Sequence, residues 1–352
     1  LLVVEAQVGL IGAVGASIAS ARVLGATQAY IGDATVGDPD AATVPVGGVR
    51  VEATSAAAPE ARAYAGSGGL TLAGDGTRAD AYVTPTVEAY YHSTGGPRAV
   101  GAGSESVNRI GGDLTILSNS TAEPDAVTLG IAVAGGVAVP VSLPTAIASP
   151  TVRAYVGSDS RVRVIGNGSS DPETATGRLT LGAAAVDDPR ATGSGAAGAV
   201  GLAFEDSVSV ATNQTTLDAY IGDGADVTAN TDVIVQAEQQ YVGLAKAWGL
   251  DFGVLSVGGN NATLTIEPSV QAHIGSATVT AGQDIEVVSE SGEPGSLPEL
   301  SFDTSTSVDY ANNIITFDQP HGLESGDSVI YRAVDGSPIP GLEDGLTYDV
   351  IR

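Results

Sequence analysis

The side chains that could do chemistry are mostly acids. Over 352 residues there are 41 Asp and Glu against 14 Lys and Arg, a formal charge of −27. Several acids gather near turn signals: Asp33 with Asp38 and Asp40, Asp159, and Asp223 with Asp226. A hard cation such as calcium wants several oxygens, and carboxylates on adjacent turns can converge on one. Neither the calcium-binding Gly-Gly-x-Gly-x-Asp nonapeptide nor an Asp-x-Asp-x-Asp-Gly loop occurs, so a solvated acidic surface is the competing reading. Paired carboxylates would also suit a polysaccharide-cleaving enzyme. Asp187-Asp188 is such a pair, but among 41 acids adjacency arises by chance. Arg153, Arg161 and Arg163 around Asp159 form the only basic cluster and read as surface ion pairs. There is no Ser-centred elbow, phosphate loop or dinucleotide fingerprint, so the sequence points away from an enzyme.

Composition narrows the choice further. The chain has no Cys, which excludes a disulfide scaffold, a zinc ribbon and a thiol nucleophile. His92, His273 and His321 are too scattered for a His-built metal site. A charge of −27 argues against nucleic acid and against anionic membranes. Hydrophobic residues make up 43% of the chain but aromatic residues only 5%, and Gly contributes 47 residues. Small and β-branched residues with frequent Gly suit thin strands and tight turns.

A short string recurs: Ala29-Tyr-Ile-Gly32, Ala63-Tyr-Ala-Gly66, Ala154-Tyr-Val-Gly157, Ala219-Tyr-Ile-Gly222 and Ala272-His-Ile-Gly275, with Ala89-Tyr90-Tyr91 a decayed copy. Start-to-start spacings are 34, 26, 65, 65 and 53. Upstream of four copies sits an apolar opener: Val8-Gly-Leu10, Val127-Thr-Leu129, Val200-Gly-Leu202 and Val242-Gly-Leu244. Downstream sits an alternating segment at Val49–Ala53, Leu114–Ile116, Leu179–Leu181, Val233–Ala237 and Ile285–Val287. Tyr30, Tyr64, Tyr155, Tyr220 and His273 are therefore structural repeat positions, read as a stacked ladder that staples adjacent coils. An exposed aromatic row that binds sugars or another filament is the functional alternative.

Elements that could carry these repeats are strands. Period-2 alternation, β-branched residues and Asp-Gly, Asn-Gly and Gly-Asp punctuation predict them, and no stretch shows a sustained 3.6 period. The uncharged run from Ala126 to Ser149 has transmembrane length, but Gly135-Gly136, Pro140 and Pro144 make it buried strands instead. The expected fold is all-β, a right-handed parallel β-helix (β-solenoid) with irregular loops over residues 1–290. A linker is expected over 291–300. A small separate all-β module follows over 301–352, truncated at its end. At roughly 25 residues per coil, residues 1–295 would make about 12 coils and a rod on the order of 60 Å long. The chain opens without Met and stops within an apparent strand, which reads as a segment of a longer polypeptide.

The string at 219–237, with Ala-Tyr-Ile-Gly-Asp-Gly-Ala-Asp-Val-Thr-Ala followed by Asp-Val-Ile-Val-Gln-Ala, resembles repeats of giant secreted bacterial proteins. These are adhesins of the filamentous-haemagglutinin or leukotoxin type. The tail from Ile315 to Tyr331, followed by Gly341-Leu-Glu-Asp-Gly345, resembles a module that recurs in such proteins. The resemblance implies an extracellular or cell-surface location and a structural or adhesive role in building fibres or presenting loops. It implies no catalytic residues and no cofactor beyond possible calcium. The expected partners are other copies, end-to-end or laterally, and surface glycans, with no nucleic acid and no membrane insertion. A β-helix polysaccharide-processing enzyme or tail-spike-like glycan binder is the alternative. Asn119, Asn167, Asn213 and Asn261 head Asn-x-Ser/Thr acceptor motifs for N-glycosylation, which arise readily in a Ser/Thr-rich chain.

Overall fold

The structure, a computed structural model, describes residues 1–34, 36, 47–93, 108–166 and 176–293, together with 307–309, 314–316, 328–330, 339, 342 and 347–349. The chain divides into two compact units, Leu1–Pro294 and Gly295–Arg352. The linker expected over 291–300 contains this boundary. Among the described residues the elements of both units are strands, with Ser307 in helical conformation just before the first strand of the second unit.

In the first unit the chain makes five passes through the same sheets. The first pass comprises β1 (Leu2–Gly9), β2 (Gly12–Ile31) and β3 (Val49–Ala57). The second comprises β4 (Glu60–Gly69), β5 (Leu72–Tyr91), β6 (Asn108–Ile110) and β7 (Leu114–Ala122). The third comprises β8 (Asp125–Ala134), β9 (Val137–Ala148), β10 (Thr151–Val156), β11 (Arg161–Val164) and β12 (Leu179–Asp187). The fourth comprises β13 (Arg190–Ala199), β14 (Leu202–Asn213), β15 (Thr216–Ile221), β16 (Asp226–Ala229) and β17 (Val233–Tyr241). The fifth comprises β18 (Leu244–Phe252), β19 (Leu255–Ile266), β20 (Ser269–Ile274), β21 (Thr278–Ala281) and β22 (Ile285–Gly292).

Every strand pairing described in this unit is parallel and joins one pass to the next. The strands opening each pass form sheet A (β1-β4-β8-β13-β18). The long second strands and β10, β15 and β20 form sheet B. Short strands form sheet C (β21-β16-β11-β6), and the closing strands form sheet D (β22-β17-β12-β7-β3).

Two kinds of interior result. Sheets C and D and the later part of sheet B enclose an aliphatic core that includes Val87, Ile110, Leu114, Ile116, Leu179 and Leu217. Sheet A and the earlier part of sheet B instead meet across Ala, Gly and Ser, with Ala61, Ala79, Ala126, Ala146, Ala191 and Ala211 in one cluster. Larger residues of these strands face outward: in β8, Ile131 and Val133 are exposed while Ala126 and Ala132 are buried. A seam lined with methyl groups buries less area per residue than an aliphatic core, so its stability leans on continuous ladders and close packing.

The corners explain some of the composition. Pro59, Pro124 and Pro189 recur at equal intervals where sheet D hands over to sheet A. Pro lacks an N–H and has a fixed φ, which suits a corner. Its carbonyl still serves the next pass: Asp125, Arg190 and Leu244 donate backbone N–H bonds of 2.9–3.0 Å to Pro59, Pro124 and Pro189. Between sheets A and B the backbones stack so closely that a Cβ at Gly135 would collide with the Leu70 carbonyl oxygen.

Two expectations are corrected. The steps between equivalent positions are 60, 65, 65 and 53 (90 − 30, 155 − 90, 220 − 155, 273 − 220). There are therefore five wide passes, not twelve narrow coils, and the stack is roughly 20 Å deep along its ladders. The apolar openers also share no ladder. Val8 and Val127 lie in sheet A at different rows, Val200 lies at the A-to-B turn, and Val242 lies at the D-to-A corner. The downstream segments do align: Val49, Leu114, Leu179, Val233 and Ile285 form one row of sheet D. The run from Ala126 to Ser149 forms β8 and β9, and no helix among the described residues is long and apolar enough to cross a membrane.

In the second unit, β23 (Val308–Asp309) pairs antiparallel with β24 (Ile314–Ile315), and β25 (Ser328–Ile330) with β26 (Thr347–Asp349). These lie in the region read as a small β module.

Candidate functional site

The repeated aromatic position builds a continuous stack on sheet B. Tyr30, Tyr90, Tyr155, Tyr220 and His273 follow one another with centroid distances of 4.9, 4.8, 4.9 and 5.2 Å and interplanar angles of 4–8°. The spacing matches neighbouring strands, so the parallel register alone places each ring over the next. Tyr64 is not a member. It lies on β4 in register with Val4 and Leu129 of sheet A. The decayed copy Tyr90 takes that place. The similarity of Ala63-Tyr-Ala-Gly66 to the repeat misleads, because a four-residue string carries no information on which sheet it joins.

Two residues earlier in each strand runs a polar row: Gln28, Glu88, Arg153, Asp218 and Gln271. Gln28 Nε2 donates to Glu88 Oε2 at 2.7 Å, and Arg153 Nη1 donates to Glu88 Oε1 at 3.2 Å. His273 Nδ1 lies 3.3 Å from Asp218 Oδ1. Signs alternate along the middle of the row, and neutral amides stand at both ends. Burial raises the Tyr155 phenol to about 12, with the Glu88 charge adding to it. Burial also raises Tyr90 and Tyr220, so these three inner phenols stay protonated at neutral pH.

The second constellation lies in the seam between sheets A and B, and sequence reasoning misses it. Asp75 on β5 and Glu205 on β14 point into the seam and are only 4% and 3% exposed. Pro140 separates them along the ladder. Each fills a notch left by glycine on the facing sheet. A Cβ at Gly130 would collide with Asp75 Oδ1, and one at Gly249 would collide with Glu205 Oε2. Asp251 occupies a similar notch opposite Gly258. None of the four Asp75 and Glu205 oxygens closes a hydrogen bond of ordinary geometry. Burial raises both carboxyls to about 7, aided at Glu205 by the Asp251 and Asp206 charges. The Ile131 backbone near Asp75 and the Asn260 side chain near Glu205 oppose the rise only in part. The alternation of acid on one sheet and glycine on the other shows in the sequence only once the register is known.

Asp187 gives a third buried acid. It is fully buried and its Oδ2 accepts from Thr215 Oγ1 at 2.6 Å, Gln239 Nε2 at 2.7 Å and Asn213 Nδ2 at 3.2 Å. Burial pushes its pKa up, and the three bonds oppose that shift. Asp188 instead pairs outward with Arg190. The two therefore do not act as a carboxylate pair. Asn213, one of the acceptor motifs for glycosylation, is buried in this network with no room for a sugar.

The turn acids serve the backbone. Asp223 Oδ1 accepts from the Ser276 N–H at 2.7 Å, one pass away. Asp113 Oδ1 accepts from the Gly177 and Arg178 N–H groups at 2.7 and 2.9 Å. Asp232 Oδ1 accepts from the Asp284 N–H at 3.1 Å. Asp159, at φ 56°, donates its N–H to the Asp223 carbonyl at 2.9 Å. Asp226 is exposed at the start of β16 beside Arg161, and Asp33 is exposed. Asp38 and Asp40 lie outside the described residues. Among the described residues no three His, Cys, Asp or Glu side chains gather around a common point. One surface hollow is lined by Tyr241, Val242, Leu264, Ile266 and Glu293, and a second by Val164, Thr228, Asn230 and Thr280. Neither holds a pair of carboxylates.

Compared with known proteins, the chain matches no family model, no curated protein and no solved structure.

Proposed function

We propose that this chain is a structural segment of a large extracellular surface or filament protein, with its first unit a right-handed parallel β-solenoid. The observation that carries this reading is the destination of the polar side chains. The aromatic row, the alternating polar row and the turn acids all bond one pass to the next. Such bonds stiffen a stack and commit these groups to neighbouring strands, not to proton transfer with a substrate. The outward aliphatic rows and the loops between sheets would then be the surfaces presented to a cell or a fibre. No cofactor is needed for such a role. A melting scan with calcium and with chelator should give one midpoint.

The test against the enzyme reading is turnover. The chain is incubated with a panel of acidic and neutral polysaccharides, and new reducing ends are measured. We expect none above background. Turnover that disappears in Asp75→Asn or Glu205→Gln would replace the structural reading with a catalytic one.

A further inference from the structure

The Asp187 network brings together a nucleophile, an acyl group and a proton carrier. We propose that Thr215 Oγ1 attacks the side-chain carbonyl carbon of Gln239 and forms an ester that braces sheet B to sheet D, with Asp187 carrying the protons and ammonia leaving. This goes beyond the structural reading above and stands on the geometry of the network.

Thr215 leads into β15 of sheet B, and Gln239 lies on β17 of sheet D. Thr215 Oγ1 and Gln239 Nε2 both donate to Asp187 Oδ2, at 2.6 and 2.7 Å. The hydroxyl and the amide are therefore no farther apart than those two bonds laid end to end. A small side-chain shift brings hydroxyl and carbonyl carbon to about 3–3.5 Å, the range an attack needs. Two atoms are left over: Asp187 Oδ1 and Gln239 Oε1 are buried and close no hydrogen bond among the described residues. Two bare acceptors on one bonded pair mark a missing proton. A neutral carboxyl pairs with an amide along both edges, Nε2–H to Oδ2 and Oδ1–H to Oε1. The first bond is present, and a proton on Asp187 supplies the second. Burial favours that protonated form. Asn213 is otherwise engaged, since its Nδ2 donates to Asp187 Oδ2 and its Oδ1 accepts the Thr215 N–H at 3.1 Å. It positions the pair and does not react.

As Oγ1 bonds to the carbonyl carbon, the Thr215 proton passes to Oδ2 and the Oδ1 proton passes to Oε1. The tetrahedral adduct then collapses. Oδ2–H protonates Nε2, the adduct hydroxyl returns its proton to Oδ1, the C–N bond breaks and ammonia departs. Thr215 and Gln239 are left as an ester, and Asp187 is again a neutral acid. Asp187, Asn213, Thr215 and Gln239 are all 0% exposed, so water is kept from the ester. Ammonia takes up a proton in neutral solvent, which draws the exchange forward. The neighbouring pass lacks the reactants: Pro150 stands one position before the row that pairs Thr151 with Thr216, and Ala185 stands beside Gln239.

Mass spectrometry of the full chain tests it. The purified chain should weigh one ammonia less than its sequence. A protease that cuts after aromatic residues separates Thr215 from Gln239 at Tyr220. Fragments 205–220 and 221–241 should therefore appear as one joined species, which mild alkaline hydroxylamine splits. Thr215→Ser, which keeps the hydroxyl, should retain the joined species, and Thr215→Val should lose it. Asp187→Asn should slow joining about 10²–10⁴-fold, the usual contribution of a positioned acid–base group. A chain of full mass overturns the proposal. So does ammonia lost elsewhere, as at Asn167-Gly168, where ring closure onto the backbone releases it too. Joining that persists in Thr215→Val, or proceeds equally fast in Asp187→Asn, overturns it as well.

Discussion

Asp75 and Glu205 are held where an ionised carboxylate is costly, between two sheets and opposite glycine, with too little donor support to offset desolvation. Their folded-state pKa values, about 7, lie above those of an unfolded chain. Stability from keeping them protonated is thus fully present below about pH 4 and is lost as pH rises through 7. The two together should cost on the order of 3–6 kcal/mol between pH 5 and pH 8.5, given about 1.4 kcal/mol per pKa unit and partial relaxation. Denaturant midpoints should therefore fall over that range, and Asp75→Asn with Glu205→Gln should flatten the fall. Midpoints that rise with pH, or an unchanged slope in the double variant, would show that the seam admits water. Asp187 makes a different prediction, because three donors converge on it. Asp187→Ala strands Asn213, Thr215 and Gln239 and should cost about 2–4 kcal/mol by the same denaturation measurement, while Asp187→Asn should cost less.

At the scale of the element, the parallel register does most of the positioning. Tyr155 sits between Tyr90 and Tyr220, so Tyr155→Ala removes two stacked contacts and should cost about 2–3 kcal/mol. Tyr64→Ala, on the outer face of sheet A and outside the stack, should cost under about 1 kcal/mol. Thermal melts of the two variants check this, and equal losses would mean the row is ornamental to stability. The contrast also shows what is legible in the sequence. Strand character, the sheet D row from Val49 to Ile285 and the role of the Tyr repeat follow from alternation and spacing. Tyr64 and the apolar openers cannot be placed that way, because a short apolar string fits any sheet and only the length of a whole pass decides which. The Asp75 and Glu205 seam is hidden for the same reason: acid and glycine meet across sheets, as Asp75 does with Gly130, at positions no local pattern connects.

For the whole first unit, pass length is the quantity on which the account turns. Start-to-start spacings of 26 and 34 suggest narrow coils only while copies in sheets A and B are taken as one series. Separating them gives steps of 60, 65, 65 and 53 along the Tyr30 row, and the seam of small residues between sheets A and B follows from that width. The most direct test is a distance between spin labels at Arg50 and Glu286. These lie far apart in sequence, yet both stand on the outer row of sheet D, four steps apart. Pulsed electron resonance on the doubly labelled Arg50→Cys/Glu286→Cys chain, diluted with unlabelled chain, should give a narrow distribution centred at about 20 Å. A distribution centred beyond about 40 Å, as a rod of twelve narrow coils would produce, would contradict the five-pass parallel stack and everything built upon it.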